Sequence, residues 1–175
     1  TGTAWFTDRL AGRCRIHSVL VRHRAPLVAQ PGSGSGRLAQ LRGMPRFGKS
    51  VLAQEFALRF ASAFPGGVFW FDLHPAHDSP ATTAMDIYAE QVAVVCHALD
   101  VDHARDTSLV RLLSRLAIRL GERGAPCLWV VDGLPDGLRD EELQLQRGPD
   151  LVACALLTTR SIRYGGFAET VEVAA

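Results

Sequence analysis

The segment Gly43-Met44-Pro45-Arg46-Phe47-Gly48-Lys49-Ser50 constrains this chain more than any other. It matches the pattern G-x4-G-K-[ST]. Its glycines let backbone N–H groups turn inward around an anion, and the helix that follows aims its unpaired N–H groups and positive dipole end at the same point. The flanks agree with this. RLAQLR, residues 37–42, reads as a short strand leading into the loop. Residues 50–63 read as a helix that is apolar nearly all round (Val51, Leu52, Phe56, Leu58, Phe60), and so is expected to be buried. In such a loop Lys49 offers a full charge to the β- and γ-phosphates of a nucleotide, and Ser50 offers a hydroxyl to Mg²⁺. Composition sharpens the point. Of 19 basic residues only Lys49 is a lysine, so the one position where arginine does not serve lies inside the loop. Pro45-Arg46-Phe47 makes the middle of the loop bulkier than glycine-rich versions and reduces its backbone freedom.

The rest of the chain supplies an α/β frame. VFWFDL (68–73) reads as a buried strand, and further strands are expected at 127–132, 152–158 and 169–173. Amphipathic helices are expected over about 81–99 and 107–121, and a polar stretch with one helical turn runs to residue 150. Apolar strands without alternation, interleaved with helices, predict a parallel sheet covered on both faces. Residues 12–23 have helical spacing, and Pro31 with GSGSG at 32–36 reads as a flexible loop. We therefore divide the chain into an N-terminal segment, 1–36, and a nucleotide-binding core, 37–175.

Composition excludes several classes. At 175 residues and a net charge of +1, the chain suits one domain that is not an electrostatic nucleic-acid binder. No apolar run approaches the length of a membrane span, and TGTAWFTDRL lacks the layout of a signal peptide. Cys14, Cys96, Cys127 and Cys154 have no paired spacing, so neither a zinc site nor a disulfide framework is expected, and a cytoplasmic setting is the default.

Three further sites bear on chemistry. Asp132 ends the strand LWVV and fits a Walker B aspartate that holds Mg²⁺, at the strand ends where ligands of parallel sheets bind; the plainer reading is a turn cap. Thr158-Thr159-Arg160 closes the next strand, where a polar or cationic group can sense a γ-phosphate, or is an ordinary strand end. His74 and His77 form an HPAH pair with no third metal ligand in evidence. Gly34-x-Gly36 follows no strand and reads as linker, and the Arg111/Arg115/Arg119 stripe reads as a solvated helix face. An N-K-x-D guanine-reading motif cannot exist, because the only lysine is in the loop.

These motifs in this order resemble the STAND class of P-loop NTPases, the NB-ARC-like signalling ATPases, and particularly actinobacterial members attached to tetratricopeptide repeats. The resemblance rests on AGRCRIHSVL, GMPRFGKSVLAQEFALRF, FPGGVFWFDL, LWVVDGLPDGL and LLTTR, and covers most of the chain. It implies a P-loop NTPase three-layer sandwich whose five-stranded parallel sheet is ordered 5-1-4-3-2. It implies ATP or ADP with Mg²⁺ as ligands, bound by Gly12, Arg13, Gly43, Met44, Pro45, Arg46, Phe47, Gly48, Lys49, Ser50 and Val51. Adenine would lie near Gly12-Arg13, Ser50 and Asp132 would hold the metal, and Lys49, Asp132 and Arg160 (in the sensor 1 position) would serve hydrolysis. It also implies a switch that self-oligomerises in the full-length protein, of which this chain would be a fragment. One position departs from the pattern. Where the family often has a second acidic residue after the Walker B aspartate, this chain has Gly133; Asp136 is an alternative. The residues therefore admit two readings: a switch with slow or partner-dependent hydrolysis, and an ADP-locked scaffold without turnover. A small kinase would need an arginine-bearing lid, and none is evident.

Overall fold

The computed structural model describes residues 4–21, 38–74, 83–102, 108–149 and 153–173. The elements are α1 (Ala4–Val21), β1 (Leu38–Arg42), α2 (Lys49–Arg59), β2 (Val68–Asp72), α3 (Ala84–Ala98), α4 (Leu109–Arg123), β3 (Cys127–Leu134), α5 (Asp140–Leu145), β4 (Ala153–Thr159) and β5 (Glu169–Glu172). The GSGSG segment and His77 lie outside the described residues.

All strand pairings are parallel. Across the sheet the strands run β2-β3-β4-β1-β5, which counted from the β5 edge is 5-1-4-3-2. A parallel sheet has to be covered on both faces, and two apolar clusters do this. Trp129, Val131, Ala155 and Leu157 face the α3, α4 and α5 side with Tyr88, Val92, Leu116 and Leu120. Leu128, Val130, Cys154 and Leu156, one residue out of phase, face the α1 and α2 side with Ile16, Leu20, Leu52 and Phe56. The period of two along each strand thus divides one continuous apolar run between two cores. On the α3 side the buried Trp129 indole donates to the Tyr88 hydroxyl at 2.8 Å, and that hydroxyl donates to the Leu145 carbonyl at 3.0 Å. The two polar tips of these rings are thereby satisfied inside the core.

Local signals explain where the helices stop and start. α3 opens with a capping box, in which the Thr83 hydroxyl accepts from the Asp86 N–H at 3.1 Å and the Asp86 carboxylate accepts from the Thr83 N–H at 3.0 Å. α4 ends on Gly124 at φ 62, a left-handed position that glycine takes without Cβ strain. The arginine stripe of α4 is more than a solvated face. Arg119 donates to the Leu99 carbonyl at 3.2 Å and Arg115 to the Asp102 carbonyl, which ties α4 to the end of α3.

Two burial expectations are corrected. α2 is not buried all round, because Val51 and Leu58 lie on its outer face, and Leu58 is 74% exposed. The apolar count of this helix exceeds the area its neighbours cover. VFWFD is likewise an edge strand rather than a buried one: Phe71 is fully buried, but Val68 and Trp70 are each 37% exposed. α1 and α2 pack mainly over β1, β3, β4 and β5, and Val68 and Trp70 of β2 stay partly exposed.

Candidate functional site

A cleft of about 750 Å³ opens at the carboxyl ends of the strands. That volume lies within the range of small-molecule sites, about 300–1,000 Å³. Its walls come from the loop after β1 (Pro45, Arg46), the start of α2 (Gly48 to Val51), the tips of β2 and β3, and Thr158 to Arg160 at the end of β4.

The loop reaches its shape through two left-handed residues, Arg46 at φ 68 and Gly48 at φ 79. Glycine takes this conformation freely, whereas arginine does so at a cost of about 1–2 kcal/mol. Gly48 is the N-cap of α2 and no side chain caps it, so the first-turn N–H groups open toward the cleft. Gly43 is required for another reason. A Cβ there would come within 2.5 Å of the Val173 carbonyl oxygen, so the glycine admits the close approach of the chain leaving β5.

Lys49 folds across the loop. Its Nζ donates to the carbonyls of Gly43 and Met44 at 2.8 Å each. Burial, and next the neighbouring Arg160, hold its pKa below the usual lysine value, while Asp132 pushes the other way. Two cations, Lys49 partly desolvated and Arg160 exposed, thus line the same cleft. That arrangement is relieved by negative charge.

Asp132 lies beneath them, 5% exposed. Its Oδ1 accepts from the Ser50 hydroxyl at 2.9 Å and from the Thr158 hydroxyl. Thr158 in turn accepts from the Gly133 N–H at 2.8 Å. Ser50 and Asp132 are thus joined across the β1–β4–β3 strand ends, and Thr158 fixes the aspartate from the side. The Thr158-Thr159-Arg160 sequence signal pointed to a phosphate sensor; the buried threonine's hold on Asp132 could be found only once β3 and β4 were paired.

The other expected residues divide. Pro45, Arg46, Gly48, Lys49, Ser50, Val51 and Arg160 line the cleft. Gly43 and Met44 contribute carbonyls to Lys49, and the Met44 side chain is largely exposed. Phe47 is half-buried and, like Gly12 and Arg13, is not among the described lining residues. Gly12 rests against the Leu52 side chain, and Arg13 is buried in an ion pair with Glu55 of α2 at 3.2 Å. These two residues dock α1 onto α2. Asp136 lines the cleft from an exposed loop.

His74 also lines the cleft, beside Asp72 at the end of β2. Ligand atoms of Asp72, His74 and Asp132 lie within 4.8 Å of one another. The sequence paired His74 with His77; the neighbours that the fold gives it come from β2 and β3. No cysteine is among the described residues lining the cleft, and burial pushes Cys96 up and Cys127 up to about 12. Among the described residues, no helix is long and apolar enough to cross a membrane.

No model of a known protein family matches the chain, and no curated protein matches it.

Proposed function

We propose that this chain is a P-loop domain that binds ATP and ADP, of the STAND signalling-switch type, with slow or partner-dependent hydrolysis. The observation that carries the reading is the junction of loop and strand ends. The sole lysine lies across a left-handed turn at an uncapped helix start, and the next residue's hydroxyl is bonded to Asp132, near the carboxyl end of β3. Lys49 and the first N–H groups of α2 provide converging donors for a polyphosphate. When phosphate oxygens arrive they can replace the Gly43 and Met44 carbonyls as acceptors for Lys49. Arg160 adds charge at the γ-phosphate end. The oxygen donors of Ser50 and Asp132 suit Mg²⁺, which when bound would offset charge on the phosphates.

Adenine follows from the resemblance to STAND proteins and from the impossibility of an N-K-x-D element. The same resemblance gives the three-layer P-loop architecture and the self-oligomerisation; the scattered cysteines give the cytoplasmic setting. A second reading, an ADP-locked scaffold without turnover, is favoured by one observation: residue 133 is a glycine at φ 84, with no carboxylate to activate water.

Competition between ATP and GTP tests the base preference, and equal or tighter GTP binding would sink it. Asp132→Asn tests the metal role. It should weaken Mg·ATP binding on the order of tenfold, as expected for loss of a charge-assisted contact of about 1.5 kcal/mol, and leave Mg²⁺-free ADP binding intact. Equal damage with and without Mg²⁺ would make Asp132 structural.

A further inference from the structure

The space beside residue 133 is filled from another strand. A Cβ on Gly133 would come within 2.6–2.9 Å of three atoms of the His74 imidazole. His74 follows β2, whose Asp72 stands in register with Asp132. Asp72 Oδ1 lies 2.6 Å from His74 Nδ1 and accepts from the His74 backbone N–H at 3.0 Å. Gln91 of α3 fixes this corner, accepting from the Asp72 N–H at 2.9 Å and donating to its carbonyl at 2.7 Å. An ionised carboxylate can only accept, so in the neutral ring Nδ1 carries the proton and Nε2 keeps a lone pair. His74 shares the cleft with Lys49, Ser50 and Arg160.

We propose that His74, oriented by Asp72, positions the water that attacks the γ-phosphate and accepts its proton at Nε2, standing in for the carboxylate that Gly133 lacks. This rests on the nucleotide reading above. The water oxygen bonds to the γ-phosphorus, and the bond from that phosphorus to the β–γ bridging oxygen breaks. The electron pair stays on that oxygen of ADP, and the water proton passes to Nε2 and then to solvent as phosphate leaves. Asp136 is the rival base; like it, His74 and Asp72 are exposed, but His74 is held by Asp72 whereas no described residue bonds the Asp136 carboxylate. A cation held by Asp72, His74 and Asp132 is the other rival. There His74 would act through the metal, and its loss would shift the Mg²⁺ midpoint.

The test is single-turnover phosphate release from Mg·ATP by the 175-residue chain, with Mg·ATP affinity and Mg²⁺ dependence measured on the same preparations. Lys49-dependent release is expected. His74→Ala should lower it by about 10²-fold or more, or to the Lys49→Ala background, as for loss of a general base, with ATP affinity and Mg²⁺ midpoint unchanged. His74→Gln keeps hydrogen-bonding capacity but cannot take the proton, and should fall equally. Asp72→Asn should fall less far. Unchanged release in His74→Ala would overturn the assignment. So would a loss matched by weaker ATP binding, a shifted Mg²⁺ midpoint, a loss confined to Asp136→Asn, or bound ATP that is never cleaved. Failure of the native chain to bind ATP would sink the nucleotide reading and this one together; binding with His74-independent release would sink this one alone.

Discussion

One wall of the cleft comes from a single short stretch, Pro45, Arg46 and Gly48 to Val51, whose groups converge because the chain turns on itself. The facing wall includes His74, Gly133 and Thr158, with Asp72 and Asp132 bonded behind it; these residues come from the ends of three strands and meet only when β2, β3 and β4 pair in register. The first wall carries strain in its own backbone at Arg46. The second stores its specificity in side-chain contacts: an imidazole packed on a glycine, and a threonine holding an aspartate. A contiguous motif can be recognised one residue at a time, whereas an assembled corner depends on the register of the sheet.

The largest expected effect breaks the assembled corner. Gly133→Glu would restore the carboxylate seen in the resembling family, yet it puts a side chain at a left-handed φ and into the His74 ring. Strain and overpacking together should cost about 2–4 kcal/mol of stability, read as a lower urea midpoint. Adding His74→Ala should recover part of that loss, and a double-mutant cycle measures the coupling. Additive effects would mean that the two residues do not share the space.

Thr158→Val comes next. It removes the acceptor for the Gly133 N–H and a donor to buried Asp132 while keeping the shape. Leaving such groups unsatisfied should cost about 1–3 kcal/mol, again read by urea unfolding. A neutral result would show that the aspartate is held by Ser50 alone.

The smallest effect is on the contiguous wall. Arg46→Gly relieves a left-handed arginine, worth about 1–2 kcal/mol, against a glycine entropy cost of about 0.5–1 kcal/mol. A net gain of about 0.5–1 kcal/mol is expected in thermal or urea unfolding. Destabilisation would mean that the Arg46 side chain makes contacts that outweigh its strain.

The uneven legibility of this molecule follows from the same contrast. The strand after which the loop comes, the strands of the sheet and the helices between them were readable, because apolar runs and breakers are local signals. Asp132 was readable as an acid near the end of its strand, although β3 runs on to Leu134, and it bonds Ser50. The exposure of Trp70 was not readable, since VFWFD has the same composition whether its strand lies at the centre or the edge of the sheet. Arg13 was placed near adenine by resemblance, and its buried pairing with Glu55 depends on how α1 crosses α2. His74 drew notice only for its neighbour in sequence, His77, while its partners in space are Asp72 and Gly133.

The central claim is that the Gly43–Ser50 loop holds nucleotide phosphates through Lys49. Calorimetric titration of the 175-residue chain and of Lys49→Ala, each with Mg·ATP and with ADP, tests it most directly. The account predicts saturable binding of one nucleotide per chain, weakened about ten- to over a hundredfold by Lys49→Ala, as for loss of a charge-assisted contact worth about 1.5–3 kcal/mol. Unchanged affinity in Lys49→Ala for both nucleotides, or no binding by the native chain, would contradict it.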